Sequence, residues 1–154
     1  MGADSTASFK LPSGHKVTIV EAPFSESKLK YSDSSPCLVD GRIPFGTDCG
    51  IPSTYVKSLT VVVDGKSLKL DTTQMFNAWG DRHLTKHEGK PVRYFGGSCL
   101  VKDICAFRGV FSDGAGNFVA EWRVVNDAVT RTVITYDQEI IALFMNNLEV
   151  KWLQ

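Results

Sequence analysis

Residues 58–63 (SLTVVV), the dipeptide Asp64-Gly65 and residues 66–70 (KSLKL) constrain the fold more than any other stretch of this chain. Asp-Gly supplies the positive φ angles that a two-residue type I′ turn demands, and β-formers flank it on both sides. The segment therefore reads as an antiparallel hairpin. A lone hairpin is at best marginally stable in water, so further strands have to cover its apolar face. Residues 16–21 (KVTIVE) alternate polar and apolar and supply a half-buried strand. Residues 92–95, 106–111 and 117–125 read as three more, with 112–116 (SDGAG) turning between the last two. Residues 125–136 (VNDAVTRTVITY) read as a second hairpin about Asn126-Asp127, and 148–153 (LEVKWL) as a closing strand.

Helix is sparse. Residues 71–80 (DTTQMFNAWG) are expected to form a short one, with Asp71 as cap, Gln74 at the capping-box position and Gly80 as terminator. Met75, Phe76 and Trp79 would then face the core. Residues 137–147 (DQEIIALFMNN) fit an amphipathic helix and a buried strand equally. Residues 23–53 are rich in Ser, Pro, Gly and Asp, and too long for an ordinary connection. Residues 1–12 read as a flexible or artificially added N-terminus. Their first nine hold neither the basic head nor the apolar run of a signal peptide. Gly2 and Thr6 fit a myristoylation pattern, but no basic cluster follows to strengthen such an anchor. The whole of 1–154 reads as one mainly β domain, an antiparallel sandwich or barrel built from hairpins with one or two short helices.

The cysteines sharpen this picture. Cys37 and Cys49 bracket one turn-rich segment, and Cys99 and Cys105 bracket another. Neither spacing is the Cys-x-x-Cys of a zinc site or a thioredoxin-like motif. Local pairing, Cys37–Cys49 and Cys99–Cys105, is the simplest of three connectivities, and closing such loops stabilises by about 2–3 kcal/mol each. Disulfides persist in periplasmic or extracellular space, so a periplasmic or secreted protein is expected.

Composition excludes other classes. Lysine plus arginine equal aspartate plus glutamate at 17 each, which leaves no basic footprint for nucleic acid. No run approaches the roughly eighteen apolar residues of a membrane span.

Motifs for chemistry are thin, and no cofactor is expected. His83 and His87 would share a face only on a helix, whereas glycines and a proline flank them. They leave a metal-dependent enzyme or small hydrolase as an alternative. Gly96-Gly97-Ser98-Cys99 resembles a nucleophile turn, but Cys105 would consume the thiol in a bridge. Asp113-Gly114-Ala115-Gly116-Asn117 has too few oxygen ligands for a calcium loop. What remains is the pinned loop of residues 99–105 (CLVKDIC) on a β scaffold. A closed loop loses little entropy on entering a groove. Leu100, Val101, Lys102, Asp103 and Ile104, with Asp113, are thus the candidate partner-binding residues. The function expected is an exported protein-binding module, an inhibitor or immunity-type protein that blocks a cell-wall-degrading or toxin enzyme. A carrier of small apolar ligands is a further alternative, which would need an internal cavity of about 300 Å³ or more.

Overall fold

A computed structural model describes residues 2–27, 29–32, 37–78, 95–112 and 114–148. Ten strands, labelled β1 to β10 in chain order, carry it. The Asp64-Gly65 hairpin forms as its sequence demands, joining β5 (Thr54–Val63) to β6 (Lys66–Leu70), with φ positive at both turn residues. Strand β2 (Lys16–Pro23) pairs with the other edge of β5, and β1 (Ser5–Lys10) with β2. The first antiparallel sheet therefore runs β1-β2-β5-β6.

The second antiparallel sheet runs β10-β9-β8-β7, from β7 (Phe95–Val101), β8 (Ile104–Phe111), β9 (Phe118–Val125) and β10 (Ala128–Thr135). Asn126 and Asp127, both at positive φ, make the expected β9–β10 turn. Between 112 and 117 the chain makes one 3-10 turn (Gly114–Gly116). The architecture is a β sandwich, one of the two that the alternation allowed. Val17, Ile19, Leu59, Val61 and Leu70 from one sheet meet Phe107, Phe118, Trp122 and Val124 from the other. Phe95, Phe111 and Trp122 pack ring against ring, with Phe111 stacked on Phe118. Trp122 has no solvent exposure, and its indole N–H donates to the Asp71 carbonyl at 2.9 Å.

Three expectations need amending. The N-terminal segment is not a flexible tail. Ala7 and Phe9 pack on the core, Phe9 lies edge-on to Phe95 and Leu11 is buried, so apolar alternation over 7–11 makes β1 an edge strand. Residues 71–78 form no helix. The Asp71 carboxylate does accept the Thr73 N–H, but Gln74 and Asn77 then take positive φ, which no helix tolerates. Met75 and Phe76 are buried nonetheless, through bridges to Phe45 and Tyr55. Trp79 and Gly80 lie outside the described residues. The ambiguous 137–147 is a helix, α1 (Gln138–Asn146), because Asp137 caps the N–H groups of Glu139 and Ile140. It lays Ile141 and Phe144 on Val110 and Val119, on the outer face of the second sheet. The strand expected at 92–95 lies outside the described residues except for Phe95, where β7 starts and continues to Val101. Of 148–153 only Leu148 is described, and it lies in no strand.

Both disulfides form as the local pairing predicted, Cys37–Cys49 and Cys99–Cys105. The first braces the long 23–53 region, where the described residues after β2 form only the two-residue strands β3 (Tyr31–Ser32) and β4 (Leu38–Val39). No helix of the described residues is long and apolar enough to cross a membrane.

Candidate functional site

Four hairpin turns, β1–β2, β5–β6, β7–β8 and β9–β10, sit at one end of the sandwich, as the antiparallel registers require. Bonds between turns fix the grouping. The Asn126 N–H donates to the Asp103 carbonyl at 2.9 Å, tying the β9–β10 turn to the β7–β8 turn. Lys66 Nζ lies 2.6 Å from the Asp127 carboxylate, tying β6 to the same corner. That hydrogen bond and charge raise the Lys66 pKa, aided by Asp103 and Asp64.

Cys99 and Cys105 face each other across β7 and β8, with Cα atoms 3.9 Å apart, and both point into the sandwich. Beyond them the register slips by a bulge, so Val101 pairs with Ile104 and Lys102-Asp103 makes the turn. A bulge at a hairpin end re-aims side chains. Here it places Val101 on the outer face, opposite Ile104. Ile104 in turn opposes Val125, and Val125 opposes Ala128. Opposed residues of an antiparallel pair share a face. An apolar row therefore crosses the outer face of the second sheet at its tip. Leu100 is 44% exposed, Val101 55% and Val125 50%. Lys102 and Asp103 at the turn are exposed beside them.

Inboard of this row, Glu121 is 5% exposed and meets Arg123 at 2.7 Å and Arg108 at 3.8 Å. Arg108 also donates to the Asn147 carbonyl and lies over the Phe144 ring. These contacts pin the end of α1 to the sheet.

The β1–β2 turn completes the tip. Ser13 Oγ lies 2.8 Å from His15 Nδ1, while His15 Nε2 lies 3.5 Å from Cys99 Sγ. The imidazole stands edge-on to the Phe107 ring, with centroids 5.5 Å apart. No family model, curated protein or solved structure matches this chain.

Of the candidate residues, Leu100, Val101, Lys102, Asp103 and Ile104 come together as one surface. Asp113 lies outside the described residues. Ser112 and Gly114, which flank it, belong to the β8–β9 connection at the opposite end, one strand length from the tip. His83 and His87 also lie outside the described residues. Among those described, no three His, Cys, Asp or Glu side chains gather as a metal site would need. Two participants escaped sequence reasoning, Val125 and His15. A valine ending a strand and a histidine before one carry no local signal. Only the registers bring them to the Cys99–Cys105 hairpin.

The opposite end carries a cleft of about 460 Å³, floored by Leu29, Val56, Met75 and Phe76 and rimmed by Arg42 and Lys57. It is an open surface feature. Asp71 and Arg131 brace one side of this end. Partial burial opposes ionisation of Asp71, but the Thr73 N–H and hydroxyl, with Arg131 and Arg42, hold its carboxyl below the usual range. Burial lowers the Arg131 pKa, and its guanidinium donates to the Thr73 carbonyl.

Proposed function

We propose that this protein is a binding module, an inhibitor or immunity-type protein that blocks a cell-wall-degrading or toxin enzyme in an oxidising, extracytoplasmic compartment. The observation that carries the reading is the grouping of Leu100, Val101 and Val125, all exposed, around a turn pinned by Cys99–Cys105. Scattered exposed apolar residues are ordinary; a contiguous row beside charged groups is what protein contacts use. The bridge fixes the turn beforehand, so binding orders little chain. Lys102 and Asp103 add a cation and an anion at the rim, where charges choose among partners. The two disulfides support the compartment. A carrier role for apolar ligands is less well supported. The interior between the sheets is filled by Trp122, Phe107 and Phe118, and the large cleft is open and rimmed with charge.

The test is inhibition of purified peptidoglycan hydrolases by oxidised protein, comparing wild type with Val101→Asp and Val125→Asp. The reading expects one hydrolase class to be inhibited, with inhibition weakened at least about tenfold by either substitution, each removing roughly 1.4 kcal/mol or more. Inhibition untouched by both variants, or none across the panel, counts against it.

A further inference from the structure

We propose that Cys99–Cys105 is a thiol–disulfide exchange site, in which Cys99 exchanges with an external dithiol and His15 holds the Cys99 sulfur once it is released as thiolate. This stands whether or not the tip binds a protein.

Three observations carry it. The two sulfurs differ in access, since Cys99 is half-buried at the sheet edge and Cys105 is sealed in the core. An incoming thiolate therefore meets Cys99. His15 Nε2 lies 3.5 Å from that sulfur, and Ser13 Oγ lies 2.8 Å from Nδ1. If Ser13 donates to Nδ1, the ring proton sits on Nε2 and points at sulfur; a charged imidazole donates there in any case. The setting also suits a reactive thiol, which needs partial exposure and a group that can hold the thiolate. Of the charged groups on the surrounding elements, Lys10 and Lys16 alternate with the core-facing Phe9 and Val17 and lie on the outer face of their sheet, Lys102 and Asp103 make the β7–β8 turn, Asp64, Lys66 and Asp127 lie at the neighbouring turns, and Arg108 meets Glu121. Among the described residues His15 forms no ion pair. Cys37–Cys49 has no histidine contact among the described residues.

The exchange balances as follows. One thiolate of the dithiol attacks Cys99 Sγ, and the Cys99–Cys105 bond breaks as a mixed disulfide forms. Cys105 leaves with the bonding pair and takes a proton from solvent. The second thiolate of the dithiol then attacks its own partner sulfur, closing a cyclic disulfide and expelling Cys99. The dithiol is oxidised by two electrons, the protein bridge is reduced by two, and His15 stabilises the Cys99 thiolate. A stabilised thiolate favours the reduced form.

The test equilibrates the full oxidised chain across ratios of reduced to oxidised dithiothreitol, traps thiols with acid and an alkylating agent, and maps each bridge by peptide mass. Wild type is compared with His15→Ala and Ser13→Ala, folding being checked by circular dichroism. Wild type should reduce Cys99–Cys105 at a roughly tenfold lower dithiol-to-disulfide ratio than His15→Ala, about 30 mV for two electrons, with Cys37–Cys49 unchanged. Ser13→Ala should shift in the same direction by less. Should His15→Ala unfold the chain, His15→Phe, which fills the space beside Phe107 without a donor, takes its place. In Cys105→Ser protein, glutathione disulfide should glutathionylate Cys99 about tenfold faster with His15 present than absent. Equal ratios in wild type and variant, or equal rates with and without His15, overturn the proposal.

Discussion

Gly46 shows how one residue fixes a junction that no periodicity announces. Its φ is +101°, and a Cβ added there would fall inside the Phe76 carbonyl and 3.2 Å from the Phe118 ring. Phe45, next to it, exchanges backbone hydrogen bonds with Gln74 and Phe76, which docks the disulfide-braced region against the sandwich. Gly46→Ala combines a disfavoured backbone with an overlap on main chain that cannot move aside. Chemical denaturation should find it destabilised by about 3 kcal/mol or more. Gly41→Ala is the control, since its Cβ would meet nothing within 4 Å, and it should cost about 1 kcal/mol for its φ alone. Buried residues were legible where they alternated, as at Val17, Ile19, Leu59 and Val61. Gly46 was not legible, because its constraint comes from Phe76, thirty residues on.

Among elements, 66–71 and 71–78 teach opposite lessons. Strand β6 follows from turn chemistry that acts over two residues, which a sequence states outright. Residues 71–78 show helix-start residues overruled by tertiary bonding. Asp71 makes its turn with Thr73, and Trp122 and Arg131 then claim the Asp71 and Thr73 carbonyls from across the sandwich. A helix would have spent those groups internally. Asp71→Ala removes two hydrogen bonds to Thr73 and should cost about 1 kcal/mol at neutral pH. The pH dependence follows from the direction of the shift. The folded carboxyl titrates below its ordinary 3.8, so its stabilisation is present above that value and is lost as pH falls through the folded value. The stability gap between parent and Asp71→Ala, measured by urea unfolding, should therefore close below about pH 4. A gap that widened in acid would show that the carboxylate is not the stabilising form. The reverse lesson holds at α1, where Asp137 decides between helix and strand by capping two N–H groups that the apolar pattern could not assign.

At the scale of the whole molecule, the two bridges brace opposite ends of one sandwich. Cys99–Cys105 holds the hairpin-turn end, and Cys37–Cys49 the loop end with the 460 Å³ cleft. Each Cys-to-Ser pair should lower unfolding free energy by about 2–3 kcal/mol. The two losses should add, because the sites share no partner. Strong non-additivity, read by thermal unfolding, would mean that the ends communicate. The sandwich was legible as a class, since strand alternation and two turn dipeptides demanded it. The surface at the tip was half legible. Residues 99–105 stood out through their cysteines, while Val125 and His15 joined them only through registers that span twenty to ninety residues of chain. The grouping of Leu100, Val101 and Val125 is the central claim, and photo-crosslinking tests it most directly. A benzophenone amino acid is placed at Val101 in one sample and at Lys69, exposed on β6, in another, each irradiated in the oxidised protein within its native cells. A discrete heavier adduct from position 101 and none from position 69 is the predicted result. No adduct at 101, or the same adducts from both positions, would contradict it.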